Sequence, residues 1–110
     1  MAYGVVHLPF YATGFRGDDL EAALQKLAPI SLRYGAIRYE VFRSRDDRYK
    51  FLHTVTFDSK AGWERYWVGP EFSDWRAEYT SWYQVPVLYS WQDLVGRGGL
   101  AAPHEVELSG

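Results

Sequence analysis

Two runs of alternating apolar and polar residues, joined by a short polar turn, constrain the fold more than any other feature of this sequence. Residues 36–43 and 49–57 each place apolar side chains at every second position, which is the period of a β-strand. Residues 44–48 between them are all Ser, Arg or Asp, which is typical of a turn. The two runs therefore predict a hairpin, and Phe51, His53, Val55 and Phe57 share one face of its second strand.

A strand and a helix are predicted ahead of the hairpin. Residues 5–11 form a short, mostly apolar run, which indicates a strand. Asp18 and Glu21 have the spacing of a capping box, so we expect a helix that begins near Asp19. Pro29 is expected to break or kink that helix, because proline has no amide hydrogen. Its buried face would carry Leu20, Ala23, Leu24 and Leu27, which recur at helical spacing.

An interrupted helix and a last strand are predicted after the hairpin. A helical stretch follows Ser59, and Gly69 with Pro70 interrupts it, since proline suits the first position of a restarted helix. Residues 85–91 predict a final strand, with Pro86 near its start in an edge or entry position. The order strand, helix, strand, strand, helix, strand predicts a ferredoxin-like α+β fold with an antiparallel sheet.

One face of such a sheet is covered by the helices and the other is left open. The open face would still carry Tyr, Phe, Val or Leu side chains, and burying one of these contributes roughly 1.5–3 kcal/mol. We therefore expect a homodimer in which a second copy packs sheet against sheet. Residues 1–95 form the predicted domain, and residues 96–110 are interpreted as a C-terminal tail that is flexible or packed on the partner subunit.

Composition excludes several classes of function. Twelve Lys plus Arg against fourteen Asp plus Glu give a net charge of −2, which argues against nucleic acid as a partner. The absence of cysteine excludes a thiolate zinc site, an iron–sulfur cluster and a cysteine nucleophile. No apolar run reaches the roughly 18 residues that a membrane-spanning helix needs, so we expect no membrane partner and a cytoplasmic location.

The arginines around the hairpin are interleaved with acids and are interpreted as a solvated, ion-paired face. They are Arg33, Arg38, Arg43, Arg45 and Arg48, among Glu40, Asp46 and Asp47.

Two stretches resemble the antibiotic-biosynthesis-monooxygenase-like family. One is the hairpin sequence from Gly35 to Ser44 with its Arg-Asp-Asp turn. The other runs from Phe57-Asp58-Ser59 through Trp63, Tyr66 and the Gly69-Pro70 break to Phe72. The resemblance covers about residues 5–91. It implies a dimeric α+β barrel with a ligand pocket in each subunit, between the sheet and its helices.

Two kinds of activity are known in the family that the sequence resembles. Some members are cofactor-independent monooxygenases that oxidise polycyclic phenols, and others degrade haem with an axial histidine on the restarted helix. The matching position here is Trp75, while Tyr66 and either His7 or Leu8 stand where that branch has its Trp and Asn. The resemblance therefore favours a protein without a cofactor that binds an aromatic or polycyclic phenol and oxidises it. The alternative is a non-catalytic ligand-binding or interaction module.

His7 and His53 are the candidate catalytic residues, because a neutral imidazole can take the proton of a phenol. The alternative is that both imidazoles are structural. No third ligand accompanies them, so we expect no metal site. Large rings make up 18% of the chain and are either core or the walls of an aromatic site. The predicted substrate-binding residues are Tyr39, Tyr66, Trp67, Phe72, Trp75 and Tyr79.

Overall fold

The strands and helices follow one another in the predicted order. The structure is a computed structural model and describes residues 3–100. The strands join in one antiparallel sheet with the order β2-β3-β1-β4, which confirms the α+β fold. The elements are β1 Gly4–Tyr11, α1 Gly17–Leu27, a 3₁₀ helix Ala28–Tyr34, β2 Ala36–Arg43, β3 Lys50–Phe57, α2 Lys60–Val68, α3 Pro70–Tyr79, a 3₁₀ helix Thr80–Trp82 and β4 Ser90–Asp93.

The end of the chain is described only in part. Residues 96–100 belong to no helix or strand. The prediction of a flexible or partner-packed tail otherwise falls on residues 101–110, which lie outside the described residues. No helix among residues 3–100 is long and apolar enough to cross a membrane. A cytoplasmic location stays a prediction.

Most helix boundaries follow the residues that predicted them. Pro29 lies in the first turn of the 3₁₀ helix that follows α1, and that helix ends at Gly35 with a φ of +93°. The left-handed region favours glycine, because it has no Cβ to clash. Ser59 caps α2 by accepting a hydrogen bond from the third residue of that helix, and Pro70 opens α3. The predicted breaks are therefore confirmed.

The predicted capping box at the start of α1 is wrong. The helix begins at Gly17, and no side chain caps it. Asp18 and Glu21 instead accept hydrogen bonds from Nη1 of Arg43, at 2.8 and 2.9 Å. A guanidinium is charged, so its hydrogen bonds to carboxylates are stronger than those of a neutral backbone amide. Both carboxylates therefore bond to the guanidinium of Arg43 on β2 instead of to the backbone amides at the start of α1.

The last strand is shorter than predicted, since only Ser90–Asp93 pair with β1 and residues 85–89 form no strand. Two prolines account for the missing pairs. The carbonyl of Tyr11 accepts a hydrogen bond from the amide of Gln84 at this edge of β1. Backbone groups alternate along a strand, so Pro9 also faces this edge, where it has no hydrogen to donate. Pro86 has none to donate in return.

The face of the sheet beneath the helices is packed with large side chains. Even-numbered residues of β1 and odd-numbered residues of β3 point toward the helices, as their register shows. Phe10 contacts the rings of Trp75 and Tyr83 edge to face, with centroids 5.7 and 5.1 Å apart. The rings of this core that are at most 7% exposed are Phe10, Phe51, Phe57, Trp63, Tyr66, Phe72, Trp75 and Tyr83.

The other side of the sheet, here called the open face, carries one apolar row among rows that are mostly polar. Its side chains are those of Val5, His7, Pro9, Tyr11, Arg38, Glu40, Phe42, Lys50, Leu52, Thr54, Thr56, Ser90 and Gln92. Strand register aligns Glu40, Thr54, His7 and Ser90 in one row. The row beside it consists of Phe42, Leu52 and Pro9. The predicted apolar side chains are present, but polar residues lie directly beside them.

Arg76 fastens α3 to the end of α2. Its Nη1 donates a hydrogen bond of 2.8 Å to the carbonyl of Trp67, in the last turn of α2. Carbonyls there have no partner within the helix. The guanidinium carbon also lies 3.8 Å from the centroid of the Trp67 ring and 4.9 Å from that of Phe72. Arg76 therefore caps one helix and stacks on its last aromatic residue.

Replacing Arg76 by methionine should lower the free energy of unfolding by about 1–2 kcal/mol, because a charge-assisted hydrogen bond and a cation–π contact are lost. Urea titration followed by circular dichroism measures this. Arg65→Met is the control, since Arg65 is exposed on α2 and the variant makes the same change of charge. Equal effects of the two substitutions would contradict the capping role.

Candidate functional site

A cleft of about 350 Å³ lies between α1 and β2, on the side of the sheet that faces the helices. Tyr39, Val41 and Arg43 line it from alternate positions of β2, so they share one face of that strand. Phe51 adds a ring from β3. The opposite wall consists of Glu21, Gln25 and Ala28, which are four and three residues apart and therefore follow one face of a helix.

The cleft combines an apolar base with a polar wall. Val41 is half-buried and supplies accessible carbon surface, and Ala28 and Phe51 are buried and form the base of the cleft. Glu21, Gln25 and Tyr39 carry hydrogen-bonding groups and remain partly exposed. A few polar groups on an apolar surface are typical of sites for small molecules, because carbon contacts supply affinity and polar contacts fix orientation.

Arg43 closes one end of the cleft. Its side chain is only 13% exposed, and Nε donates a hydrogen bond of 2.7 Å to the carbonyl of Arg48. Its Nη1 holds both Asp18 and Glu21. The hydrogen bond with Asp18 is the largest cause that raises the pKa of Arg43, and the same bond lowers the pKa of Asp18. A Cβ at position 17 would collide with the guanidinium, so Gly17 leaves Arg43 the space it occupies.

His53 lies in the core on β3, two residues from Phe51 and opposite Val41, but it does not line the cleft. Its Nδ1 is 3.0 Å from the carbonyl oxygen of Glu40, which can only accept, so Nδ1 carries the hydrogen. Nε2 then accepts a hydrogen bond from the hydroxyl of Tyr66, at 3.1 Å. Burial lowers the pKa of His53 from 6.5 to about 4, and burial also raises the pKa of Tyr66 far above its usual value. The imidazole is therefore neutral and has both nitrogens bonded.

His7 lies on the opposite side of the sheet from His53. It is half-buried on the open face, where its register partners are Thr54 and Ser90. The strands of the two histidines are neighbours, but His53 pairs with Leu8, and a difference of one residue reverses the face. The structure therefore does not bring the two imidazoles together. Within residues 3–100, no group of three or more His, Asp or Glu side chains is placed to hold a metal ion.

The six rings predicted to bind a substrate are distributed over several places. Tyr39 lines the cleft described above. Tyr79 lines a smaller cleft of about 170 Å³ on the other side of α1, together with Lys26. Trp67 is half-buried beneath Arg76. The three others are core residues, namely Tyr66, Phe72 and Trp75.

Sequence reasoning missed three of the polar residues of the cleft. The sequence predicts Glu21 in a helix cap and Arg43 on a solvated face, and it predicts no role for Gln25. The available signal was the helical spacing of Glu21, Gln25 and Ala28 opposite the alternation on β2. That signal identifies one face of the helix and one face of β2. It does not show that the two faces oppose each other, because this depends on how α1 packs on β2.

Comparison with known proteins places the fold. A family model described as antibiotic biosynthesis monooxygenase matches residues 5–78. No curated protein matches the chain. A Nitrosomonas europaea protein provisionally named an antibiotic biosynthesis monooxygenase is 16% identical, with a TM-score of 0.76 over 87% of this chain and 94% of its own. A Deinococcus radiodurans protein of the same provisional name is 13% identical, with a TM-score of 0.76 over 90% and 99%. A Shewanella oneidensis protein is 22% identical, with a TM-score of 0.73 over 84% and 92%.

Acid should destabilise the fold through His53. The pKa of His53 is 6.5 in the unfolded chain and about 4 in the folded chain. Between these two pH values the unfolded chain binds a proton at His53 and the folded chain does not. Stability is then full above pH 6.5 and falls by about 1 kcal/mol per pH unit as the pH drops toward 4. The measurement is the free energy of unfolding from pH 7.5 to 4.5 for the wild type and for His53→Gln, which cannot titrate. Parallel pH profiles of the two proteins would contradict a neutral buried imidazole.

Proposed function

Because the chain belongs to the antibiotic biosynthesis monooxygenase family, we propose that it binds a small aromatic molecule in the cleft between α1 and β2 and oxidises it with dioxygen. One observation carries the proposal, namely the cleft of about 350 Å³ with an apolar base and a polar wall. This volume lies within the roughly 300–1,000 Å³ of sites for small molecules. The cleft also lies between the sheet and a helix, where the family resemblance implies a pocket.

The side chains of the cleft suit a planar ring that bears an oxygen. The half-buried side chains of Val41 and Tyr39 present carbon atoms to the face of such a ring. The hydroxyl of Tyr39 and the amide of Gln25 can bond to substituents on its edge. A phenol has both features, so a phenolic substrate is the proposal that this lining supports best.

The proposed reaction needs a proton acceptor and protection from water. Removal of the phenolic proton makes the ring electron-rich enough to reduce dioxygen, so no cofactor takes part in the proposed reaction. His7 and His53 stay predicted bases, but neither imidazole lines the cleft. The absence of both imidazoles from the cleft lining favours a second candidate function, in which the cleft binds its ligand without oxidising it.

Filling the cleft should weaken binding strongly. Gln25→Trp places a large ring at an exposed position of the cleft wall and should weaken the binding of a fluorescent naphthol at least tenfold, as measured by titration. Lys26→Trp is the matched control, because it adds the same ring to the neighbouring residue, which lines the smaller cleft with Tyr79. Loss of binding in the control alone would move the site to that smaller cleft.

Oxygen consumption separates the two candidate functions. With a panel of polyphenols and quinols, uptake that depends on the protein and disappears in Gln25→Trp supports the monooxygenase. Binding of the panel without any uptake supports the non-catalytic function. His7→Ala and His53→Gln, each checked for its fold by circular dichroism, test the two predicted bases directly.

We also propose that the protein is a homodimer that pairs through the open face. The apolar row of Phe42, Leu52 and Pro9 supports this, since Phe42 is 53% exposed in the single chain. The adjacent polar row has its own internal bonds, because Thr54 and Arg38 both donate to Glu40. Such bonded groups lose less when a partner excludes water than free ones do.

A charge on the apolar row should separate the subunits. Phe42→Asp is expected to convert a dimer into a monomer in sedimentation equilibrium, because an unpaired carboxylate would be buried in the interface. Val68→Asp is the control, since Val68 is a 69% exposed apolar residue of α2, away from the sheet. A wild-type protein that sediments as a monomer at micromolar concentration would contradict the proposal.

A further inference from the structure

We propose that the cleft selects an aromatic ligand with a neutral hydroxyl group, which donates a hydrogen bond to Glu21, over the same ring system with a carboxylate. This inference rests on the proposed function, since it names the ligand class of the same cleft. It also assigns Glu21 as the acceptor of the ligand's proton. The argument depends on the charges and bonds of Arg43 and Glu21.

The charge at the end of the cleft is already more than balanced. One guanidinium faces two carboxylates, because Nη1 of Arg43 bonds to Asp18 at 2.8 Å and to Glu21 at 2.9 Å. The three groups together carry one net negative charge. The other polar side chains of the wall, Gln25 and Tyr39, are neutral. Arg48 also acts on Asp18, but Arg43 is the one cation among the residues that line the cleft. A ligand carboxylate would therefore add a third negative group to the one guanidinium it can reach, and repulsion between like charges disfavours it.

Glu21 is held in place but is not fully used. Its Oε1 bonds to Arg43, and its side chain lines the cleft while remaining 40% exposed. An ionised carboxylate has two oxygens and can only accept hydrogen bonds. A ligand group that satisfies it must therefore be a donor, and a phenolic hydroxyl is one. Hydrogen bonds from O–H to a carboxylate are among the strong ones.

The same contact provides a route for the proton. When the ligand's O–H bond breaks, a new O–H bond forms on Glu21, and the electron pair stays on the ligand oxygen. Glu21 is then neutral, so Arg43 faces Asp18 and the new oxyanion instead of two side-chain carboxylates. The number of negative groups beside the guanidinium is unchanged by the transfer.

Two probes with the same ring system test the selectivity. At pH 7, 2-naphthol is neutral and donates a hydrogen bond, whereas 2-naphthoate is an anion. Titration of the wild-type chain with each, by isothermal calorimetry, should show 2-naphthol binding about tenfold tighter, a difference of about 1.4 kcal/mol. Glu21→Gln should weaken 2-naphthol about fivefold and strengthen 2-naphthoate, because it removes the anionic acceptor and one negative charge.

Glu64→Gln is the matched control, since it makes the same chemical change at an exposed position of α2. It should leave both affinities unchanged. Circular dichroism is used to check that Glu21→Gln is folded, and the glutamine oxygen can still accept a hydrogen bond from Arg43. If 2-naphthoate binds as tightly as 2-naphthol, or if Glu21→Gln leaves the preference intact, the inference is overturned and the cleft remains a binding site. If neither probe binds, the proposed function fails together with the inference.

Discussion

Arg43 ties the first turns of α1 to the end of β2, and the cleft depends on this connection. The guanidinium reaches Asp18 and Glu21 on the helix and the Arg48 carbonyl beside the hairpin, and its carbon lies 5.0 Å from the centroid of the Phe51 ring. The guanidinium is largely buried, and Glu21 is 40% exposed whereas Asp18 is 97% exposed, so water screens the bond to Glu21 less than the bond to Asp18. Arg43 connects the helix to the strand, and it is also the one cationic side chain among the residues that line the cleft.

Parity along the strands decides which chemistry is available on each side of the sheet. His53 and Leu8 are register partners and face the core, so His7 must face the other side. Burial then keeps the imidazole of His53 neutral, with both nitrogens bonded inside the protein. On the open face, His7 lies in a polar row with Glu40 and Thr54. The two histidines both lie in predicted strands, but the structure gives them unrelated surroundings.

The sequence predicts the parts of the fold that depend on local chemistry. Pro29, Ser59 and Pro70 act on their own backbone, so the helix breaks they predict are found where expected. The strand over residues 85–89 does not form because two prolines remove donors at this edge, namely Pro86 within the segment and Pro9, which is distant in sequence. Glu21 is misassigned for the same reason, since its partner Arg43 lies 22 residues away. Local patterns cannot identify which distant group competes for a side chain.

Aromatic content illustrates the same limit and explains where the cleft lies. Tyr66, Phe72 and Trp75 fill the space beneath the helices, so little of their surface is left for a ligand. At the margin of the sheet, α1 presents Gln25 and the following 3₁₀ helix presents Ala28, so no large ring lies there and an opening remains. Side-chain volume thus closes the centre of the helix-covered face and leaves its edge accessible. A ligand that enters at this edge meets one aromatic face and a charged wall, so recognition there depends on its polar substituents as much as on its ring system.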